Sequence, residues 1–131
     1  MNTTPLTFEV RSAKEALEAA LELIKDERNW CQGCLARNIT GSDVPPQSPD
    51  AMRFCAVGAL CRVAVGALCR VASHYNDAIL LLIKARENMR TGFMTLAQFN
   101  DRFGHQTVLE LYRNAIKLAE EEVDSIRKES V

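Results

Sequence analysis

Cys31 and Cys34 are separated by two residues, the spacing at which a pair of thiols can ligate zinc or exchange with a disulfide. A zinc site needs further ligands, and only Cys55, Cys61, Cys69, His74 and His105 could supply them. No second Cys-x-x-Cys and no His-x-x-x-His follows. A thioredoxin-like redox pair is expected after a strand and at the opening of a helix, whereas this pair follows a predicted helix. Reduced thiols in a loop or core are therefore the expectation, with no metal and no cofactor. Cys55, Asp101 and His105 form a second set, with the residue types of a nucleophile, an orienting carboxylate and a base. Gly104 interrupts any helical face that Asp101 and His105 could share, and a core cysteine with two helix-capping side chains accounts for the same letters. No catalytic residue is assigned, and a non-enzymatic chain is expected.

Asn100, Asp101, Gly104 and His105 fall between two predicted helices, where they can cap helix ends or face Trp30 and the Gly33 loop across a ligand or partner pocket. Gly58 would let that loop, a ligand or a crossing helix approach the backbone closely. Arg53, Arg62 and Arg70 invite an anion reading because guanidinium forks suit phosphate. Their separations of nine and eight residues set successive members about 180° and about 80° apart around a helix, which makes no single stripe. The binding candidates are Trp30, Gly33, Arg53, Cys55, Gly58, Asn100, Asp101 and His105, for a partner or for a small molecule such as a nucleotide.

The elements that must position these residues read as helices. Ser12 and Glu15 have capping-box spacing, and Ala13, Ala16, Leu17, Ala20, Leu21 and Ile24 share one face, so a first helix is predicted from Ser12 to about Arg28. Residues 31–47 lose periodicity and carry Gly33, Gly41, Pro45 and Pro46, a long loop. Ser48-Pro49-Asp50 is a helix-start signal, predicting a central apolar helix to about Tyr75 with the others packed around it. Asn76 or Asp77 can cap a third helix to about Met89, Thr95 with Gln98 a fourth to about Asn100, and Thr107 with Glu110 a last one striped by Val108, Leu111, Tyr112, Ala115, Ile116, Ala119, Val123 and Ile126. No strand is expected outside Leu6 to Val10. The result is an all-α single domain over residues 1–131, about five helices, with residues 1–11 as a flexible N-terminus.

One octapeptide, Val-Gly-Ala-Leu-Cys-Arg-Val-Ala, occurs twice in succession, at Val57–Ala64 and Val65–Ala72. Eight residues lengthen a helix by about 12 Å and turn whatever follows by about 80°. Lengthening is expected over looping out, because Ala, Leu and Arg are good helix formers. A helix over 48–75 so extended could pair with a second copy.

Bulk properties exclude several classes. The chain has 131 residues, 47% of them hydrophobic and 25% charged, as in globular proteins. A net charge of −1 gives no global field for nucleic acid, which is not expected as a partner. Arg62 and Arg70 would each cost about 2.5–3.5 kcal/mol at a bilayer centre, so the apolar stretch from Phe54 is not expected to span a membrane. The first ten residues lack the basic and apolar regions of a secretory leader, and the cytoplasm is expected.

The order of Trp30, Gln32-Gly33 and Ala36, then Phe54-Cys55-Ala56 with Gly58-Ala59-Leu60, then Phe99-Asn100-Asp101, then Val108-Leu109 and Ala115-Ile116 resembles a family of small uncharacterised helical proteins of bacteriophages and bacteria. The similarity spans about Ala13 to Ala119. It implies a helical domain and a place among phage or mobile-element genes, not a reaction. The chain departs from the pattern at Cys31-x-x-Cys34, at Phe99 where tryptophan is more typical, and in its second octapeptide copy. Together these readings predict a non-enzymatic accessory protein that binds a host or phage protein, in a counter-defence role. A small-molecule binder is the alternative and a cysteine-dependent enzyme the third reading.

Overall fold

The computed structural model describes residues 10–64 and 72–129, which form five α-helices and a two-stranded antiparallel ribbon among the described residues. The expected flexible terminus as far as Glu9, and most of the second octapeptide copy, lie outside them. Whether that copy lengthens a helix therefore also lies outside them, as do Cys69 and Arg70. Val10, assigned to the terminus by the sequence, is buried with the core.

Helix α1 (Ala13–Ile24) starts as its sequence predicts: Ser12 Oγ accepts from Glu15 N at 3.1 Å. Glu15 reaches back to Arg11 N at 3.0 Å. It buries Ala16, Leu17, Ala20 and Ile24 and packs against three other helices. It ends four residues before Arg28, because Asp26 draws the chain into a 3-10 turn (Glu27–Asn29) by accepting from Arg28 N at 2.9 Å. The Arg28 guanidinium, 2.7 Å away, holds the Asp26 carboxyl down at about 2.

The long loop is more ordered than its composition predicts. β1 (Ala36–Arg37) pairs antiparallel with β2 (Arg53–Phe54), Ala36 opposite Phe54 and Arg37 opposite Arg53. Trp30 bridges to the other side of Phe54, and Asp43 to the far side of Arg37, so four short segments lie side by side. Asn38 closes the intervening turn, its Oδ1 accepting from Thr40 N, Thr40 Oγ1 and Ser42 N at 2.8–3.1 Å. Gly41, with φ +88°, supplies the left-handed residue there.

The helix predicted from Ser48 begins instead at Ala56. Ser48 does cap, but only a turn: its Oγ accepts from Asp50 N at 3.1 Å. The amides that would have carried the helix onward donate to the ribbon, Met52 N to Arg37 O at 2.8 Å and Cys55 N to Leu35 O at 3.1 Å. Arg62, one of the three arginines of the anion reading, fastens this turn: its Nη1 donates to Pro46 O and Ser48 O at 2.9 and 2.8 Å. Its guanidinium lies 5.8 Å from the Phe54 ring centre.

Helix α2 (Ala56–Ala64) is described as far as the end of the first octapeptide copy. In α3 (Ala72–Asn88) the chain is already helical before the expected Asn76 cap. Helix α4 (Leu96–Arg102) carries the predicted capping box of Thr95 and Gln98 complete. Helix α5 (His105–Glu129) starts two residues before Thr107, since Gly104 O already accepts from Thr107 N and Val108 N. The centre of the molecule is therefore not a helix over 48–75: α1 lies among α2, α3 and α5, and α3 packs along α5. Tyr112, Phe99, Leu17 and Leu60 are among the largest side chains fully enclosed there.

Gly58 lies against the ribbon. A Cβ added there would overlap the Leu35 carbonyl oxygen and come within 2.8 Å of its carbon, so α2 and the ribbon pack with no side chain between them. Gly58→Ala is expected to destabilise the fold by about 3 kcal/mol or more, the size of a strained, overpacked core. Gly104→Ala, with nothing within 4 Å of its Cβ, is expected to stay within about 1 kcal/mol of the parent. Urea denaturation of the two variants checks the contrast.

Candidate functional site

The sequence candidates converge where the C-terminal end of α4 meets the N-terminal end of α2. Asn100, on the buried face of α4, is fully enclosed. Its Oδ1 accepts from the Trp30 indole Nε1 at 2.8 Å and from Ala56 N at 2.9 Å. Its Nδ2 donates to Cys31 O at 3.0 Å and to Asp101 Oδ1 at 3.3 Å. An amide offers two donors and two acceptor positions, and here all four are used. The free N–H groups and partial positive charge of a helix start are a ready anion site. At α2 that place is filled by the neutral Asn100 oxygen, while the Cys55 sulfur accepts from Gly58 N at 3.3 Å.

The segment that carries Trp30 is clamped to α4 in the same way. Gln32 Nε2 lies 3.0–3.2 Å from the carbonyls of Asn100, Asp101 and Phe103 and shares its two hydrogens among these acceptors at the end of α4. Gly33, with φ +88°, donates its N–H to Asp101 Oδ1 at 2.8 Å. Behind Trp30 lies His105, ring centres 5.4 Å apart. Its Nε2 donates to Ile24 O, the last residue of α1, at 2.7 Å. With that proton on Nε2, Nδ1 faces Gln106 Nε2 as an acceptor at 3.4 Å. Tyr112 completes the junction from α5, donating to Ala56 O at 2.6 Å.

Trp30, Gly33, Cys55, Gly58, Asn100, Asp101 and His105 thus belong to one junction. Arg53 does not: its side chain is exposed on strand β2, across from Arg37. The nucleophile, carboxylate and base are not connected as a relay. His105 is bonded to Ile24 and Gln106, Asp101 holds Gly33 and Asn100, and burial pushes the Cys55 thiol up. Cys31 is pushed up to about 12, first by burial and then by Cys34 and Cys55. Cys31, Cys34, Cys55 and Cys61 are free thiols, and among the described residues no group of three or more His, Cys, Asp or Glu is placed to hold a metal ion. Nor, among them, is any helix long and apolar enough to cross a membrane.

Sequence reasoning missed three members of the junction. Gln32 was visible only as a neighbour of Gly33, Tyr112 reads as one more apolar stripe position, and Arg37 gives no local signal although it ties Gln32 O and Gly41 O at 2.9 and 3.0 Å.

A family of unknown function, DUF6197, matches residues 9–118, most of the chain. The chain belongs to that family. The match covers α1 through most of α5 and includes every residue of the junction. No curated protein and no solved structure matches the chain.

Two outcomes follow. Asn100→Ala strands the Trp30 indole N–H, the Ala56 N–H and the Cys31 carbonyl in a buried place, and is expected to cost at least about 3 kcal/mol in chemical denaturation. Combined with Trp30→Phe its effect is expected to be non-additive by about 1 kcal/mol, because the two share one hydrogen bond. For Cys31, a folded value near 12 lies above the ordinary thiol value of about 8.5. Its contribution to stability is full below the ordinary value and is lost as pH rises toward the folded one. Stability measured from pH 8 to pH 11 is expected to fall, and to fall less steeply in Cys31→Ala.

Proposed function

We propose that this chain is a non-enzymatic binding protein that recognises a protein partner through the ribbon, in the phage or mobile-element setting that its resemblance implies. One observation carries the reading: the ribbon presents Leu35, Ile39 and Met52 to solvent, Ile39 with 78% of its surface exposed, on a backbone that the Asn100 junction and Gly58 hold in place. Beside them Gly33, Cys34 and Leu35 face Asp43, Val44, Pro45 and Pro46 across an open groove of about 430 Å³. Apolar side chains on a pre-organised surface contribute binding free energy without a large ordering cost.

The small-molecule alternative loses its main groups under this reading, because Trp30, Asn100 and His105 turn their polar atoms toward the protein's own backbone and side chains. A host-directed accessory role, including counter-defence, requires only a surface of this kind.

The test is site-specific photocrosslinking in bacterial cells from position 39 or 52, with position 18, exposed on α1, as control. One discrete partner captured from the ribbon but not from position 18, and lost from position 39 in Leu35→Ser/Met52→Ser, is the expected outcome. Equal labelling from all three positions would overturn the ribbon as the recognition surface.

A further inference from the structure

The thiols of Cys31 and Cys34 are not used by the Asn100 junction, yet the chain bends through Gln32–Leu35 in a way that sets them side by side. Gly33 makes the bend possible: its φ of +88° is left-handed, and its N–H is tied to Asp101 Oδ1 at 2.8 Å. Cys31 Sγ turns back along the bend and donates to Cys34 O at 3.8 Å. After burial, the Cys34 sulfur is the strongest influence raising the Cys31 thiol, as a second ionisable sulfur close by must be.

The two thiols are unequal. Cys31 is buried, whereas Cys34 is half-buried and lines the open groove that faces Asp43, Val44, Pro45 and Pro46. Cys34 Sγ donates to Ala36 O at 3.2 Å, but that carbonyl also accepts from Val44 N at 3.0 Å, so the sulfur can turn away without stranding it. Cys55, also close to Cys31, is buried, and its sulfur is engaged by Gly58 N at 3.3 Å. The Arg37 guanidinium, fixed on Gln32 O and Gly41 O at 2.9 and 3.0 Å, pulls the Cys31 thiol down against its burial. An accessible sulfur beside a buried one, with a fixed cation at hand, is the arrangement of an attacking thiol and a resolving thiol.

We propose that Cys34 and Cys31 form a reversible thiol–disulfide pair that exchanges with small disulfides reaching the groove at Cys34. Cys34, as the thiolate, attacks one sulfur of the incoming disulfide RSSR. A Cys34–SR bond forms, the S–S bond of RSSR breaks, and the released thiolate takes a proton from solvent as RSH. Cys31 then gives its proton to solvent and attacks the Cys34 sulfur; the Cys31–Cys34 bond forms, and the second RS⁻ leaves and is protonated. Two electrons and two protons pass from the pair to RSSR, and excess RSH runs the same steps backward. The pair is independent of the partner reading, since it concerns the wall of the groove and not what the ribbon binds.

The full chain, equilibrated in buffers that run from reduced to oxidised glutathione, is quenched with acid, unfolded, alkylated and mapped by peptide mass spectrometry. Cys31 and Cys34 are expected to lose their alkylation together, as one disulfide joining the two, while Cys55 stays free, and excess reduced glutathione is expected to restore both thiols. Cys31→Ser is expected to stop at a glutathione adduct on Cys34, and Cys34→Ser to leave Cys31 unmodified. Unchanged circular dichroism melting confirms that the variants fold, and Cys34→Ser, at the half-buried sulfur, decides the order of attack by itself should Cys31→Ser unfold. A folded wild-type chain that stays reduced in the oxidised buffer, that keeps a glutathione adduct on Cys34, or that joins either residue to another cysteine overturns the proposal.

Discussion

The Asn100 side chain is the interaction on which the rest of the structure depends. Its amide joins three parts of the chain that are far apart in sequence: the Trp30–Cys31 segment, the start of α2 and the end of α4. In a buried setting each of these groups would cost about 1–3 kcal/mol if left without a partner. One neutral side chain satisfies all of them, and it does so without burying a charge. A carboxylate could have accepted the same two N–H groups, but would have faced the Cys31 carbonyl with no proton to give. The amide is the group that fits both sides.

That junction also explains the ribbon. Once Trp30 and Cys31 are fixed beside α2, the following residues run along Phe54, and the absence of a side chain at Gly58 lets the Leu35 carbonyl approach α2 directly. The Leu35 and Arg37 carbonyls then take the amides of Cys55 and Met52. A local helix-start signal at Ser48 is overridden because the same amides cannot serve both a helix and a strand partner. Arg62 secures the outcome by satisfying two carbonyls of the displaced turn.

The sequence therefore made some features legible and hid others for a physical reason. Helices α1 and α4 declared themselves because their starting signals, Ser12 and Thr95, act over three residues and met no competitor. The apolar stripe of α5 was equally plain, and its early start at His105 was not, because Gly104 supplies a backbone carbonyl rather than a side-chain cap. The ribbon was invisible, since strands of two residues carry no alternation to read and are defined wholly by remote partners. Among the site residues, Trp30, Gly33, Cys55, Gly58, Asn100, Asp101 and His105 were singled out by type and position, and they do meet. Arg53 was chosen for its charge on an assumed helix, and it left the group when that helix proved to be a strand.

The chemistry suggested by those residue types changed with their partners. A histidine within reach of a cysteine and a carboxylate is a catalytic set only if its nitrogens face them. Here one nitrogen faces the end of α1 and the other a glutamine, while the sulfur caps α2 and burial disfavours its thiolate. A thiolate nucleophile would need the opposite surroundings: a nearby positive charge and some access to solvent. The same polar groups that would make a reactive pocket instead fix the ends of α1, α2 and α4 against one another. Their effect at the surface is indirect and mechanical, because a ribbon anchored from within can hold Ile39 in water with little backbone freedom left.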